Sequence, residues 1–311
     1  MERALRWEKL GLVVVPDKSK TWSQTHAMVP TPILLADGTL RVYFTSCDAA
    51  YIGRVGFADL NPDDPTQVLA TTPQPVLDIG ADGCFDENGV IACSVTPTPE
   101  GLVMFYAGYE LGAKIRYRLL TGAAVSVDDG RTFKRIQSTP VLERTPQELY
   151  FRGGPFGTYE DGNYKLWYVG GSDWMEINQK LLPVYELSYL ESRSVDSWPI
   201  QATRTLKLTG SDEHGFGRPW VVKRGTDDYQ LFYSIRKKSI AAYRMGYATS
   251  IDAVNWHRHD DLMGLDVSPE GFDSQAIMYA AVITVKGVTY CFYNGNDFGR
   301  DGFAVARLVQ T

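Results

Sequence analysis

Charged and imidazole side chains recur at one kind of place in this chain, just ahead of or just inside short aromatic segments. Five such stretches read Trp22-Ser23-Gln24-Thr25-His26, Asp82-Gly83-Cys84-Phe85-Asp86, Glu148-Leu149-Tyr150-Phe151-Arg152, Glu213-His214-Gly215-Phe216-Gly217-Arg218 and Glu270-Gly271-Phe272-Asp273. Two share Phe-Asp at one register, and two set an acid ahead of Phe and Arg. Carboxylates gathered at one site are the equipment for glycoside hydrolysis: one protonates the leaving oxygen and the other activates water or attacks. Crowding raises the pKa of one of them, as an acid working at neutral pH requires. A guanidinium fork matches a carboxylate or phosphate, so Arg152 and Arg218 point to an anionic or activated sugar.

The elements that must bring these stretches together are written as a repeat. An aromatic pair recurs five times, as Tyr43-Phe44, Phe105-Tyr106, Trp167-Tyr168, Phe232-Tyr233 and Phe292-Tyr293, at steps of 62, 62, 65 and 60 residues. A small-residue strand follows each pair, at Gly56-Phe57-Ala58, Gly122-Ala123-Ala124, Ser188-Tyr189-Leu190, Gly246-Tyr247-Ala248 and Gly302-Phe303-Ala304. Then come Ser-x-Asp turns before an aromatic residue, at Ser126-Val127-Asp128, Ser194-Val195-Asp196 and Ser250-Ile251-Asp252. Asp and Ser start turns by bonding their own backbone. Each unit reads as a four-stranded antiparallel meander, the blade of a propeller, and five such units use up the chain.

The fifth unit lacks its outer strand. Trp7-Glu8-Lys9-Leu10 resembles Phe133-Lys134-Arg135-Ile136 and Trp256-His257-Arg258-His259, so the N-terminal strand is expected to complete the last blade. Closing the circle removes exposed edges. The expected fold is therefore all-β, a five-bladed propeller of four-stranded antiparallel blades, spanning residues 1–311 as one domain. Its inner strands begin near Trp22, Phe85, Phe151, Phe216 and Phe272.

Composition narrows the field. A net charge of -6 argues against a nucleic-acid partner. Eighteen Tyr, seven Trp and 29 Gly fit strands and turns. No segment approaches the ~18 apolar residues of a membrane span. The first twenty residues show no signal-peptide pattern, which predicts a cytoplasmic location. Cys47, Cys84, Cys93 and Cys291 have no paired spacing, so neither a metal site nor a disulfide framework is expected.

The five aromatic strands, the Ser-x-Asp-Gly-x-x-Phe turn and the segments Pro75-Val76-Leu77 and Pro140-Val141-Leu142 resemble the five-bladed propellers of the arabinanase, levansucrase and invertase superfamily, which includes glycoside hydrolase families 43 and 32. The resemblance implies an acid on each of the first three inner strands. Asp86 matches the second and Glu148 the third; the first strand offers Ser23 and His26 and no acid.

The expected function is a carbohydrate-active enzyme resembling a glycoside hydrolase. Asp86, Glu213 and Asp273 are its candidate catalytic carboxylates. Trp22, Ser23, His26, Arg152, His214 and Arg218 are candidate substrate contacts. The partner is a small carbohydrate or nucleotide sugar, with no cofactor. The alternatives are modification of an activated sugar in surface-polysaccharide biosynthesis, and a propeller that binds sugar without catalysis. Beside these stand plainer roles: Asp86 and Asp273 as strand caps, Arg152 and Arg218 as clamps on Glu148 and Glu213, both histidines as satisfied interior groups, and Trp22 as packing.

Overall fold

A strand buried on both faces reads as a continuous apolar run, and the aromatic pair sits in such runs. Tyr43, Tyr106, Tyr168, Tyr233 and Tyr293 are all fully buried. The structure, a computed structural model, describes residues 4–309, so residues 1–3 and 310–311 of the expected 1–311 span lie outside it. It is all-β: β1 (Trp7–Val14), then β2 (Thr25–Leu34), β3 (Leu40–Cys47), β4 (Gly53–Asn61), β5 (Asp64–Thr71), β6 (Val90–Thr98), β7 (Gly101–Leu111), β8 (Tyr117–Ser126), β9 (Lys134–Arg135) and β10 (Phe151–Glu160). There follow β11 (Asn163–Ile177), β12 (Lys180–Ser192), β13 (Thr203–Leu206), β14 (Glu213–Gly225), β15 (Asp228–Lys237), β16 (Ala242–Ser250), β17 (His257–Arg258), β18 (Met278–Val285), β19 (Val288–Asn294) and β20 (Phe303–Leu308). The single described α-helix, α1 (Asn296–Gly299), lies in the β19–β20 connection. No helix among the described residues is long and apolar enough to cross a membrane.

Antiparallel pairing runs through successive groups of four: β2–β5, β6–β9, β10–β13, β14–β17, and β18–β20 with β1. Strand β1 pairs antiparallel with β20, from Trp7 opposite Leu308 to Val14 opposite Phe303. The hydrogen-bonded sheets number four, twelve and four strands. The three middle units merge because β8 touches β10, and β12 touches β14, through short parallel contacts. The first strands pack in a cycle: β2 on β6, β6 on β10, β10 on β14, β14 on β18, and β18 back on β2.

The small-residue strand has a steric cause. Gly122 lies directly opposite Tyr106, and Gly246 opposite Tyr233. A Cβ on Gly122 would stand 2.2 Å from the Tyr106 ring, and one on Gly246 would stand 2.4 Å from the Tyr233 ring. Ser188 and Ala304 take the same place opposite Tyr168 and Tyr293. The Ser-x-Asp segments are turns: Asp128 accepts the backbone N–H of Thr132 at 3.0 Å, and Asp252 that of Asn255 at 2.7 Å.

Three first strands begin later than expected. They start at Thr25, Val90 and Met278 rather than near Trp22, Phe85 and Phe272, because the polar Gly-rich stretches before them fold as turns. Near Phe216 the strand starts earlier, at Glu213, and the start at Phe151 is as expected.

Lys9 on β1 sits 2.6 Å from Asp273, whose side chain is 1% exposed. Removing one partner of a buried pair leaves an uncompensated charge, at a cost of about 3–5 kcal/mol. Lys9→Met is expected to lower the urea-unfolding free energy by about that much, and Lys9→Met with Asp273→Asn to recover a large part of it.

Candidate functional site

The acids singled out in the sequence share one local arrangement. Asp86, Glu148 and Asp273 each accept the hydroxyl of the tyrosine twenty residues downstream: Tyr106 at 3.0 Å, Tyr168 at 2.6 Å and Tyr293 at 3.2 Å. Each also meets a cation from the last strand of its own unit. Arg135 of β9 lies 2.8 Å from Asp86, Arg204 of β13 lies 3.6 Å from Glu148, and Lys9 of β1 lies 2.6 Å from Asp273. The fourth unit is a variant. Glu213 also stands twenty residues before its tyrosine, but the Tyr233 hydroxyl bonds Asp260 at 2.5 Å, and Arg258 of β17 holds both Glu213 and Asp260 at 2.6 Å. The first unit has Phe44 in the tyrosine position and Gln24 in the acid position. Its missing acid accompanies a missing hydroxyl.

Burial alone would raise the Glu213 carboxyl, but the Arg258 hydrogen bond and charge outweigh it and hold Glu213 below its ordinary range. Asp86 is fully buried, and its Oδ1 has no hydrogen-bond partner.

The other sequence-predicted residues divide. Arg152 lies 2.8 Å from Glu148 and donates to the Tyr168 hydroxyl at 3.1 Å, inside the same clamp. Trp22 is buried and donates to the Pro73 carbonyl at 3.2 Å, and Ser23 is buried against Ser46 at 2.8 Å. Arg218 does not meet Glu213. It crosses to the first strands of other units, donating to the carbonyls of Pro30 at 2.8 Å, Cys93 at 3.0 Å and Tyr279 at 3.2 Å, and to the Thr31 hydroxyl at 2.9 Å. Burial lowers its pKa to about 10. His214 is buried with Nδ1 3.1 Å from the Pro183 carbonyl, and burial lowers its pKa. His26 is half-buried, edge-on to Tyr51, and also lowered, first by burial and then by the Arg300 charge.

A second constellation lies where the chain enters the first strands, and sequence reasoning missed it. The Tyr185 and Tyr243 hydroxyls stand 3.0 Å apart, and Arg236 donates to Tyr185 at 3.3 Å with its guanidinium 5.0 Å from the Tyr243 ring centre. Tyr243 meets Tyr279 at a tilt with ring centres 5.7 Å apart, and Phe298 edge-on at 6.1 Å. Tyr117 meets Tyr109 at 4.7 Å and Trp174 at 5.4 Å. These residues come from four units. Burial would lower the Arg236 pKa, but the phenols of Tyr185, Tyr243, Tyr117 and Tyr279 raise it, and no carboxylate pairs with it among the described residues. A signal existed: Tyr109 and Arg236 each sit three residues past the buried tyrosine of their strand.

Non-glycine residues with positive φ are spread over the turns, Asp129, Asn178 and Lys286 among them, and four bulky ones lie at this end. His26, Tyr51, Tyr279 and Phe298 hold φ of 62°, 64°, 61° and 61°. Left-handed bulky residues cost on the order of 1–3 kcal/mol each and cluster at binding sites. Among the described residues no group of three His, Cys, Asp or Glu is placed to hold a metal ion.

No family model matches the chain. An uncharacterised protein of Mycobacterium tuberculosis is 29% identical over 304 residues, covering 98% of this chain and 99% of the relative. Among solved structures, a glycoside hydrolase superposes with TM-score 0.75 at 18% identity, covering 99% of this chain and 93% of its own. The fold is that of propeller-like glycoside hydrolases. A thermostable family-43 glycoside hydrolase gives 0.64 at 16% identity, with 94% and 92% covered. Sucrose-6-phosphate hydrolase of Lactobacillus gasseri gives 0.61 at 12% identity, with 93% of this chain and 62% of that one covered.

Because Glu213 is held below its ordinary pKa by Arg258, its stabilising contribution is present above about pH 4.5 and fades as the pH falls through the lowered value. The stability difference between the wild type and Glu213→Gln should therefore be large at pH 7 and shrink towards pH 3, read as urea midpoints across that range.

Proposed function

We propose that this chain is a carbohydrate-active enzyme, one five-bladed propeller closed by β1, that takes an anionic sugar at the tyrosine-lined end of its first strands. The cyclic packing of β2, β6, β10, β14 and β18, and the pairing of β1 with β20, support the architecture. The observation that carries the ligand is Arg236. It is a guanidinium among phenols with no carboxylate partner among the described residues, next to the Tyr185 and Tyr243 hydroxyls. A guanidinium has five donors and fits a carboxylate or phosphate in a fork. Tyrosine and tryptophan supply apolar faces for a sugar ring and hydroxyl or N–H groups for its polar edge. His26 and Tyr279 belong to this end, and Arg218 lies beneath Tyr279.

In this reading Glu148 and Asp273 brace their units, and Glu213 does the same through Arg258. Arg258 holds Glu213 below its ordinary range and so charged, whereas a general acid needs the neutral form. A second reading keeps Asp86 as a hydrolytic carboxylate, and one observation favours it: Oδ1 is buried without a partner. Asp86→Asn with aryl glycosides decides that point, since unchanged turnover sinks it.

The test of the main reading is calorimetric titration with uronates, sugar phosphates and nucleotide sugars beside their neutral parents. Arg236→Gln should weaken the anionic ligand by roughly 10–100-fold, the value of a charge-assisted hydrogen bond of about 1.5–3 kcal/mol. Affinity for the neutral parent should stay. Equal loss for both, or no sugar bound at all, would refute the proposal.

A further inference from the structure

We propose that the tyrosine pair Tyr185–Tyr243, with Arg236, cleaves a uronate-containing glycan by β-elimination rather than by hydrolysis. The inference rests on the preceding reading of an anionic sugar at this end of the fold. Hydrolysis of a glycoside asks for two carboxylates. Here Asp86, Glu148, Glu213 and Asp273 are each bound to a cation and, directly or through a shared arginine, to a tyrosine clamp. The Tyr185–Tyr243 pair is faced by phenols and a guanidinium instead.

Elimination from a uronate needs three things: a cation on the sugar carboxylate, a base for the proton on C5, and a donor for the leaving oxygen. Arg236 gives Tyr185 one N–H and keeps others for the carboxylate. The two hydroxyls, 3.0 Å apart, share protons directly. The reactive form of the pair has lost one proton and is balanced by the guanidinium.

The Tyr185 phenolate takes the C5 proton. The electron pair of that C–H bond forms the C4–C5 double bond. The bond from C4 to the glycosidic oxygen breaks, its pair leaves with the oxygen, and the Tyr243 hydroxyl protonates that oxygen. A proton then passes from Tyr185 to Tyr243 and restores the starting pair. No water is consumed, and no oxidant or reductant is required.

The groups facing the pair are Arg236 from β15, Tyr279 from β18, Tyr117 from β8 and Tyr109 from β7. Burial raises Tyr243 well above an ordinary phenol, against the lowering effect of Arg236. Burial likewise pushes Tyr117 up to about 12. A phenolate base becomes more abundant as the pH approaches the ordinary phenol range of about 10, so the rate should climb as the pH rises above 7.

The test incubates the full chain with oligomers of galacturonate, glucuronate, mannuronate and guluronate. Products are read by the ultraviolet absorbance of an unsaturated uronate and by mass spectrometry. Expected are fragments whose masses sum to the substrate with no added water, a slower rate on C5-deuterated substrate, and a rate that rises with pH. Tyr243→Phe and Tyr185→Phe should each lose about 10²–10⁴-fold in rate while still binding the oligomer, the usual scale of a proton-transfer group. Saturated fragments carrying one added water overturn elimination and leave the carbohydrate reading standing. So does binding of uronates with no product from any of the four. Failure to bind any uronate or other sugar overturns both.

Discussion

The structure depends on burying carboxylates beside tyrosine hydroxyls twenty residues away. Each clamp ties the turn ahead of a first strand to the second strand and, through a cation, to the last strand of the same unit. An isolated buried carboxylate would be prohibitive, and a buried tyrosine hydroxyl without an acceptor would cost about 1–3 kcal/mol. Together each hydroxyl gains an acceptor and each carboxylate a donor and a cation, and they fix the register of three strands at once. Hydrophobic packing alone would let a flat aromatic strand slip, and a slip of one residue exchanges its faces. A tyrosine that must find one carboxylate oxygen cannot slip.

That arrangement also shows which parts of the structure were legible in the sequence. The five aromatic pairs, their spacing and the small residues opposite them were readable because a ring and the gap that receives it are written on adjacent strands, as with Tyr106 and Gly122. The likeness of Trp7-Glu8-Lys9-Leu10 to Phe133-Lys134-Arg135-Ile136 and Trp256-His257-Arg258-His259 pointed to β1 beside β20, and the structure adds that the cation of each stretch meets an acid of its own unit. The acids were found, but the sequence does not say which way a carboxylate faces. The partners of Asp86 and Asp273 lie on their own units' second and last strands rather than on neighbouring first strands. Tyr185, Arg236 and Tyr243 escaped notice because each is ordinary alone. Only the pairing of Tyr185 with Gly215, and of Gly215 with Arg236, sets them side by side.

The fold is shared with glycoside hydrolases, and the side chains at the start of the first strands are this chain's own. Function resides in the site grafted on a fold, not in the fold itself. In the first unit, Phe44 and Gln24 replace the tyrosine and acid found at those positions elsewhere, and Trp22 fills the space against Gly56. That unit is held by packing, by the Ser23–Ser46 contact and by Asn294 of the fifth unit, whose side chain bonds the Val29 amide at 2.7 Å and the Ala27 carbonyl at 2.9 Å.

Arg218 binds carbonyls that belong to β2, β6 and β18 while itself belonging to β14. Its guanidinium cannot shed water until strands drawn from opposite ends of the chain have arrived, since a half-built ring would strand the charge in an apolar gap. Segments near both ends of the chain must therefore meet beside β14 before this charge has its full set of acceptors.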